Sequence, residues 1–378
     1  MRLVLATHVY PLNPHAPTDI PGNFIPPFVY ELCRRGVQVQ VLAPNRPGDK
    51  TPDPDAPVRW FEWPGDGRNL GQLNPLNPLD AYRLIGLYRR GTAELQNLID
   101  KHRADAVLAC WAVPSGAFAA RAKRALGVPY VVWALGSDIH TSPKNPILRP
   151  MVLDALKHAS LRYANSIVLG REVERLGGLP CGFLPTARTL PDAPPIDLSH
   201  DRVNFLFAGR LEPVKGADLL IRAMAQLRAE GIAAHLYLAG NGSQERELRE
   251  SVRQLGLDDA VTFLGFMTEG PLAAYLRAVD AVVIPSRSEA LPVILTEAAR
   301  LGTPAVASDV GDMGILARQY ETAIVVEPEN VAALAQGLAA MARADRAQFR
   351  KGLPALVARF DYRSAAETLL ADLQRMIK

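Results

Sequence analysis

The feature that most restricts this chain is a series of short β-branched segments, each followed by a longer helical pattern, that halts once and then restarts. In the first half the strand-like segments are "RLVLATH" (2–8), "VQVQVLA" (37–43), "DAVLAC" (105–110), "YVVWAL" (130–135) and "NSIVLG" (165–170). Between them, "FIPPFVYELCRRG" (24–36), residues 79–102 and "SGAFAARAKRALG" (115–127) repeat apolar residues at helical spacing. Two of these end in Arg or Lys followed by Gly, a helix C-terminal signal. Strand–helix alternation of this kind builds βαβ units around a parallel sheet. "PDAPPIDLSHD" (191–201) breaks the pattern and reads as an interdomain linker. The alternation then resumes with "VNFLFAG" (203–209), "AHLYLAG" (234–240), "AVTFLG" (260–265), "AVVIPS" (281–286), "TPAVAS" (303–308) and "TAIVVEP" (322–328).

The expected fold is therefore α/β, with two doubly wound Rossmann-like domains, 1–190 and 202–361, facing across a cleft. A last helical pattern, 362–378, follows the completed second sheet and is expected to pack back on the first domain. The length of 378 residues and hydrophobic content of 48% suit two cores, since single cores stop growing near ~250–300 residues. Cys33, Cys110 and Cys181 are scattered without CxxC or metal-ligand spacing, so neither a disulfide framework nor a metal site is expected. "MRLVLATHVY" is too short for a secretory h-region, and no stretch reaches the ~18 apolar residues of a membrane span. A soluble cytoplasmic protein is expected. Residues 1–190 hold 22 Lys and Arg against 15 Asp and Glu, or +7, while residues 191–378 hold 20 against 24, or −4. The basic first half fits either an anionic partner or a solvated basic face.

One segment carries the chemistry. "FLFAGRLEPVKGADLL" (205–220) ends a strand at Gly209, then offers Arg210, Lys215 and a helix start near Gly216. Ligands of open parallel sheets bind beyond the carboxyl ends of the strands. There a guanidinium fork, a compact ammonium and the positive end of a helix suit the oxygens of a diphosphate. The plainer alternative is surface ion pairing of Arg210 and Lys215 with Glu212 and Asp218. A second segment, "SRSEALPVILTEAARLGTPAVAS" (286–308), places Glu289 after a strand end, Pro292 at a first helical turn and Gly302 at the helix end. Glu297 falls about two turns into that helix. Carboxylates can accept the paired hydroxyls of a ribose or sugar diol.

In that order, "FAGRLEPVKGADLLIRAM", "LYLAGNGSQERELRE", "VTFLGFM" and "PSRSEALPVILTEAARLGTPAVASDVG" resemble the donor half of retaining glycosyltransferases of the GT-B fold, family four (glycosyl transferases group 1). The likeness covers roughly residues 203–340. The first half is similar more loosely, through a loop at Pro21–Gly22–Asn23, "RRGVQVQVLAP" and "VPYVVWALGSDI". The resemblance implies metal-independent sugar transfer from a nucleotide diphosphosugar, with no cofactor and with retention, to a glycan, lipid-linked or small-molecule hydroxyl. Nucleic acid is not an implied partner. Arg210 and Lys215 would hold the diphosphate and stabilise the leaving group. Glu289 would bind donor-sugar hydroxyls, and Glu297 the ribose hydroxyls. The backbone of Leu291, Pro292 and Val293 would meet sugar and phosphate. Phe266 and Met267 would lie near the base, Gly209 and Gly22 would admit close backbone approach, and Asp138 would stand at the catalytic centre.

This chain also departs from the family. The usual His-Gly-x-Asp reads "LGSD", with Leu135 at the histidine position and Gly136 and Asp138 kept; His140 and His8 are the nearby substitutes. A usual Pro-Asn-Gly stretch is "FLPTARTLP", and a frequent glutamate is replaced by Ile315. These departures keep two alternatives open, a same-fold sugar-nucleotide epimerase and a non-catalytic sugar-nucleotide-binding homologue. "GNGSQE" (240–245) has Glu245 where a dinucleotide fingerprint needs its third glycine, which disfavours a nicotinamide enzyme. "DPD" (53–55) spells a metal motif but sits in a proline-rich loop. Finally, "RNLGQLNPLNPLDAYRLIGLYRR" (68–90) mixes apolar residues with Arg68, Arg83, Arg89 and Arg90. It reads either as a peripheral contact with the inner face of an anionic membrane or as an ordinary amphipathic helix capped by cations.

Overall fold

The computed structural model describes residues 1–13, 22–65, 68, 70, 73–188 and 190–377. Pro21, Asn69, Gly71, Gln72, Thr189 and Lys378, which fall within the segments read above, lie outside the described residues. The chain forms two compact units, Met1–Thr186 with Tyr362–Lys378, and Ala187–Asp361. Each unit is a wholly parallel sheet with helices on its faces.

The first sheet has seven strands: β1 (Arg2–Ala6), β2 (Gln38–Pro44), β3 (Val58–Phe61), β4 (Ala106–Cys110), β5 (Tyr130–Ala134), β6 (Leu161–Ala164) and β7 (Gly182–Phe183), in the order β3-β2-β1-β4-β5-β6-β7. β4 and β5 are buried along their whole length, as strands covered on both faces must be. The register pairs Leu3 with both Val39 and Ala106, so β1 and β4 run side by side at the sheet's reversal of direction.

The second sheet has six strands: β8 (Val203–Ala208), β9 (Ala234–Ala239), β10 (Val261–Gly265), β11 (Ala281–Ile284), β12 (Ala305–Ser308) and β13 (Ala323–Val326), in the order β10-β9-β8-β11-β12-β13. Its reversal lies between β8 and β11, where Ala281 pairs with Phe205 and Val282 with Leu206. Loops leaving two neighbouring strands toward opposite sides open a crevice at that point, which is the structural reason such sheets bind ligands there.

Two expectations are corrected. "NSIVLG" (165–170) is not a strand: residues Ile167–Gly177 form a helix whose N-cap Ser166 accepts the Leu169 amide at 3.0 Å. The strand lies earlier, at Leu161–Ala164, where Arg162 hid it. That side chain is buried because it donates to the carbonyls of Leu156 and Ala159. The short edge strands β3 and β7 were not expected. The chain changes units between Thr186 and Ala187, and residues 191–201 lie against the second unit. There Ala193 and Leu198 join its apolar cluster, Asp192 pairs with Arg277 at 2.7 Å, and Asn204 donates to the Ser199 carbonyl at 2.8 Å.

The last helix, Tyr362–Ile377, packs on the first unit as expected. Ala365, Ala366, Leu369 and Leu373 enter its core beside Phe28, Val29 and Leu32, and Arg35 pairs with Glu367 at 2.9 Å. Among the described residues no helix is long and apolar enough to cross a membrane. Because Leu369 is fully buried, Leu369→Ala should lower the stability of the first unit by about 2–5 kcal/mol in urea unfolding. A wild-type unfolding midpoint would show that the helix is a dispensable appendage.

Candidate active site

The residues singled out for a diphosphate and a sugar gather in the second unit at the β8/β11 reversal. After β8 the chain runs through Gly209 and Arg210 into a 3-10 turn at Pro213–Lys215, and the helix Ala217–Ala229 follows. Gly216 joins turn and helix in the left-handed region (φ 74°), and a Cβ there would strike the Pro285 carbonyl. Only glycine permits this approach of the β8 loop to the end of β11. The Arg287 guanidinium then stitches the two loops, forking onto Asp218 at 2.9 and 2.7 Å and bonding the Pro213 carbonyl, while its amide donates to the Val214 carbonyl at 2.8 Å.

Held this way, the Lys215 ammonium meets the Glu289 carboxylate in an ion pair whose members are only 23% and 14% exposed. Glu289 is positioned from its other side by the loop after β12. Gly311 (φ 56°) presses so closely on the Glu289 and Ala290 carbonyls that a Cβ could not fit, and the Asp312 amide donates to the Ala290 carbonyl at 2.9 Å. The plainer surface pairing is not what forms. Asp218 is engaged by Arg287, and Glu212 accepts from Ser243 Oγ at 2.6 Å and its amide at 3.0 Å. Those bonds, with Arg210 nearby, hold the Glu212 carboxyl below its ordinary range. Among the described residues Arg210 is exposed and makes no ion pair. The glycines of "GNGSQE" serve loop packing, since Cβ atoms at Gly240 and Gly242 would collide with the Gly209 and Leu211 carbonyls.

The helix Val293–Arg300 begins after Pro292, which is its N-cap rather than a first-turn residue, and no side chain caps it. Val293 at its start is exposed, whereas Pro292 is buried and Leu291 packs on the apolar cluster. Glu297 sits little more than one turn in, and it faces inward, at 3% exposure. Burial pushes its carboxyl above the usual range, while Arg188 pulls the other way. Arg188 Nε lies 2.5 Å from Glu297 Oε1 and 3.8 Å from a Glu269 oxygen. Arg188 and Glu297 thus form an ion pair inside the fold, with the Glu297 side chain only 3% exposed. Phe266, half exposed, and Met267, partly buried, follow β10 just before Glu269, on the side of the site that Arg188 touches.

In the first unit, Gly22 (φ 103°) is buried and starts the turn into the helix Ile25–Arg34, its carbonyl accepting the Ile25 amide at 2.9 Å. Asp138 is not a free catalytic group. It is buried, with Oδ2 accepting the Ala112 amide at 2.7 Å and Oδ1 those of Gly136 and Leu135 at 2.9 and 3.2 Å. Burial raises its carboxyl to about 6 against those bonds. It clamps the turn after β5 to the turn after β4. His8 is half buried against Trp111, ring centroids 4.4 Å apart, with its basicity lowered to about 4 by burial and Nδ1 without a partner. His140 is exposed. Asp53 of "DPD" accepts from Tyr30 Oη at 2.5 Å and the Asp55 and Ala56 amides, and so closes a loop.

Arg188 and Arg287 were missed from sequence. Arg188 stands in the irregular "TARTLP", outside any periodic element, and Arg287 was passed over beside Glu289.

Two family models match, "Glycosyl transferase 4-like domain" over residues 22–180 and "Glycosyl transferases group 1" over residues 192–351. D-inositol 3-phosphate glycosyltransferase of Rhodococcus erythropolis is 32% identical over 189 residues, 48% of this chain and 43% of that protein. An uncharacterized glycosyltransferase of Methanocaldococcus jannaschii is 36% identical over 143 residues, 38% of this chain and 36% of that protein. The chain thus spans under half the length of these curated relatives. Among solved structures, sucrose-phosphate synthase from Thermosynechococcus elongatus superposes with a TM-score of 0.78 at 19% identity, covering 99% of this chain and 98% of that one. Anabaena Alr3699/HepE in complex with UDP superposes at 0.72 and 18%, covering 99% and 100%. With both units matched by glycosyltransferase models and the whole architecture shared with such enzymes, the chain belongs to the glycosyl transferases group 1 family of the GT-B fold.

Proposed function

We propose that this chain moves a sugar from a nucleotide diphosphosugar to a hydroxyl acceptor, glycan or lipid-linked, with retention of configuration and without a metal. The observation that carries this is the Lys215–Glu289 pair at the β8/β11 reversal, with the exposed Arg210 on the same loop after β8. Anabaena Alr3699/HepE, which shares this fold, is seen in complexes with UDP and with UDP-glucose, which supports a donor of that class here.

The chemistry asked of the site is mainly electrostatic. As the bond from the anomeric carbon to the phosphate oxygen breaks, negative charge grows on the departing diphosphate. Lys215, held in place beforehand by Glu289, and Arg210, drawn in by the ligand, stabilise that charge as a metal would elsewhere. The acceptor oxygen attacks from the face the phosphate leaves, and its proton passes to a departing phosphate oxygen, so no protein base is required. The diphosphate draws Lys215 toward itself and frees the Glu289 oxygens for the donor sugar's hydroxyls. Glu297, ionised against Arg188, accepts the ribose hydroxyls, with Phe266 and Met267 beside the base. The Val293 amide at the uncapped helix start adds a donor for phosphate or sugar. Asp138 and Gly22 act as positioning residues for the first unit's loops.

Lys215→Ala should reduce kcat by on the order of 10²-fold or more, with a much smaller change in donor KM, because the lost interaction is strongest at the transition state. Turnover unchanged in steady-state assays would reject the role. Glu297 and Arg188 give a pH prediction. Burial raises the Glu297 carboxyl and Arg188 opposes that rise, so nucleoside diphosphate affinity should strengthen as pH climbs through the Glu297 titration. Arg188→Met should move that titration to higher pH, costing most affinity between the two titrations. Calorimetric titrations at several pH values that superpose for wild type and variant would contradict it.

A further inference from the structure

We propose that the groove between the helices Pro78–His102 and Leu148–His158 of the first unit is a docking surface for a bilayer rich in anionic lipid, taking lipid acyl chain between its walls. The groove has a volume of about 560 Å³ and lies well apart in sequence from the phosphate and sugar residues. Its walls are Leu84, Ile85 and Tyr88 on one side and Ile147, Leu148 and Met151 on the other, with Arg121 contributed by the helix Ala117–Leu126.

Three observations converge on a membrane. First, the apolar surface does not stop at the groove. Leu76, Leu79, Tyr82 and Ile85 are 80%, 56%, 63% and 58% exposed, in a row at the start of the long helix, and Ile147 stands exposed across from them. A cluster of large apolar side chains left in water marks an interaction site. Second, the rim is cationic. Arg89 and Arg121 line the groove and no acidic residue does. Neither arginine makes an ion pair among the described residues; Arg121 instead lies over the Tyr88 ring at 5.7 Å. Arg90 and Arg149, exposed nearby, also lack carboxylate partners among the described residues. The neighbouring acids are already spent, Asp80 on Arg83 at 2.8 Å and Asp154 on Arg124 at 3.0 Å. Third, apolar and cationic groups are layered as an interfacial helix requires. Leu79, Tyr82 and Ile85 can enter the acyl region while the long arginine stems keep their heads at the phosphate level. This also accounts for the +7 balance of residues 1–190 as attraction to anionic headgroups.

The test is co-sedimentation of the full chain with vesicles, without donor, so that its outcome is independent of the transfer reading. Binding should be strong to phosphatidylglycerol–phosphatidylcholine vesicles, weak to pure phosphatidylcholine, and reduced by raising salt from 0.1 to 0.5 M, as screening requires. Arg89→Gln with Arg121→Gln should weaken binding about fivefold per charge removed. Leu79→Ser with Ile85→Ser, both at exposed positions and so compatible with folding, should abolish it with an unchanged thermal midpoint. Tyr82→Trp fluorescence should be quenched by lipids brominated on the acyl chain. Failure to bind anionic vesicles, or binding indifferent to both variant pairs, overturns the proposal. So does a concentration-dependent dimer lost in Leu79→Ser/Ile85→Ser without vesicle binding, since the face would then serve a second copy of the chain.

Discussion

The ion pair of Lys215 and Glu289 organises the second unit's site, and it exists because of how the sheet is wound. The two residues are separated by 74 positions in sequence and meet only because β8 and β11 are neighbours at the point where strand order reverses. Successive crossovers leaving in opposite directions hold their loops apart above that point and leave a crevice between them. Two close approaches then set the fine position. Gly216 lets the β8 loop descend onto Pro285, and Gly311 lets the β12 loop press against the Glu289 backbone. Side chains at either place would push the cation and the carboxylate apart.

An ion pair in this half-buried setting is weak evidence for stability, because desolvation offsets much of the Coulombic gain. Its value lies in pre-organisation. Each member is oriented by the other until a ligand with stronger charge displaces it. The same logic governs Glu297, where burial alone would favour the neutral acid and Arg188 keeps the ionised form within reach. The first unit uses a carboxylate differently. Asp138 spends its oxygens on three backbone amides, so its contribution is the shape of two loops.

Much of this was legible in the sequence. The β-branched runs of the second half each became a strand, since a parallel sheet covered on both faces requires continuous apolar segments and little else resembles them. Gly209, Arg210, Lys215, Glu289 and Glu297 were marked by residue type and position after strands, and the structure brings them into one unit. What could not be read depended on contacts that the apolar periodicity does not announce. Arg162 made a buried strand look polar because its partners, the Leu156 and Ala159 carbonyls, belong to the preceding helix end. The same stretch then lent its strand to "NSIVLG", where a capping serine had already begun a helix. Glu297 could be placed on a helix but not given a face until Arg188, from an irregular segment, was seen against it. The amphipathic helix Pro78–His102 could be read two ways, and it took the exposed row from Leu76 to Ile85 to tell its wet face from a packed one.

The central claim is that the Lys215–Glu289 pair holds the place of a diphosphate. The most direct measurement is a crystal structure with a bound nucleoside diphosphate. The account predicts phosphate oxygens about 3 Å from Lys215 Nζ and the Arg210 guanidinium, with the ammonium drawn off Glu289. Phosphorus atoms settled elsewhere, with the Lys215–Glu289 contact intact, would contradict it.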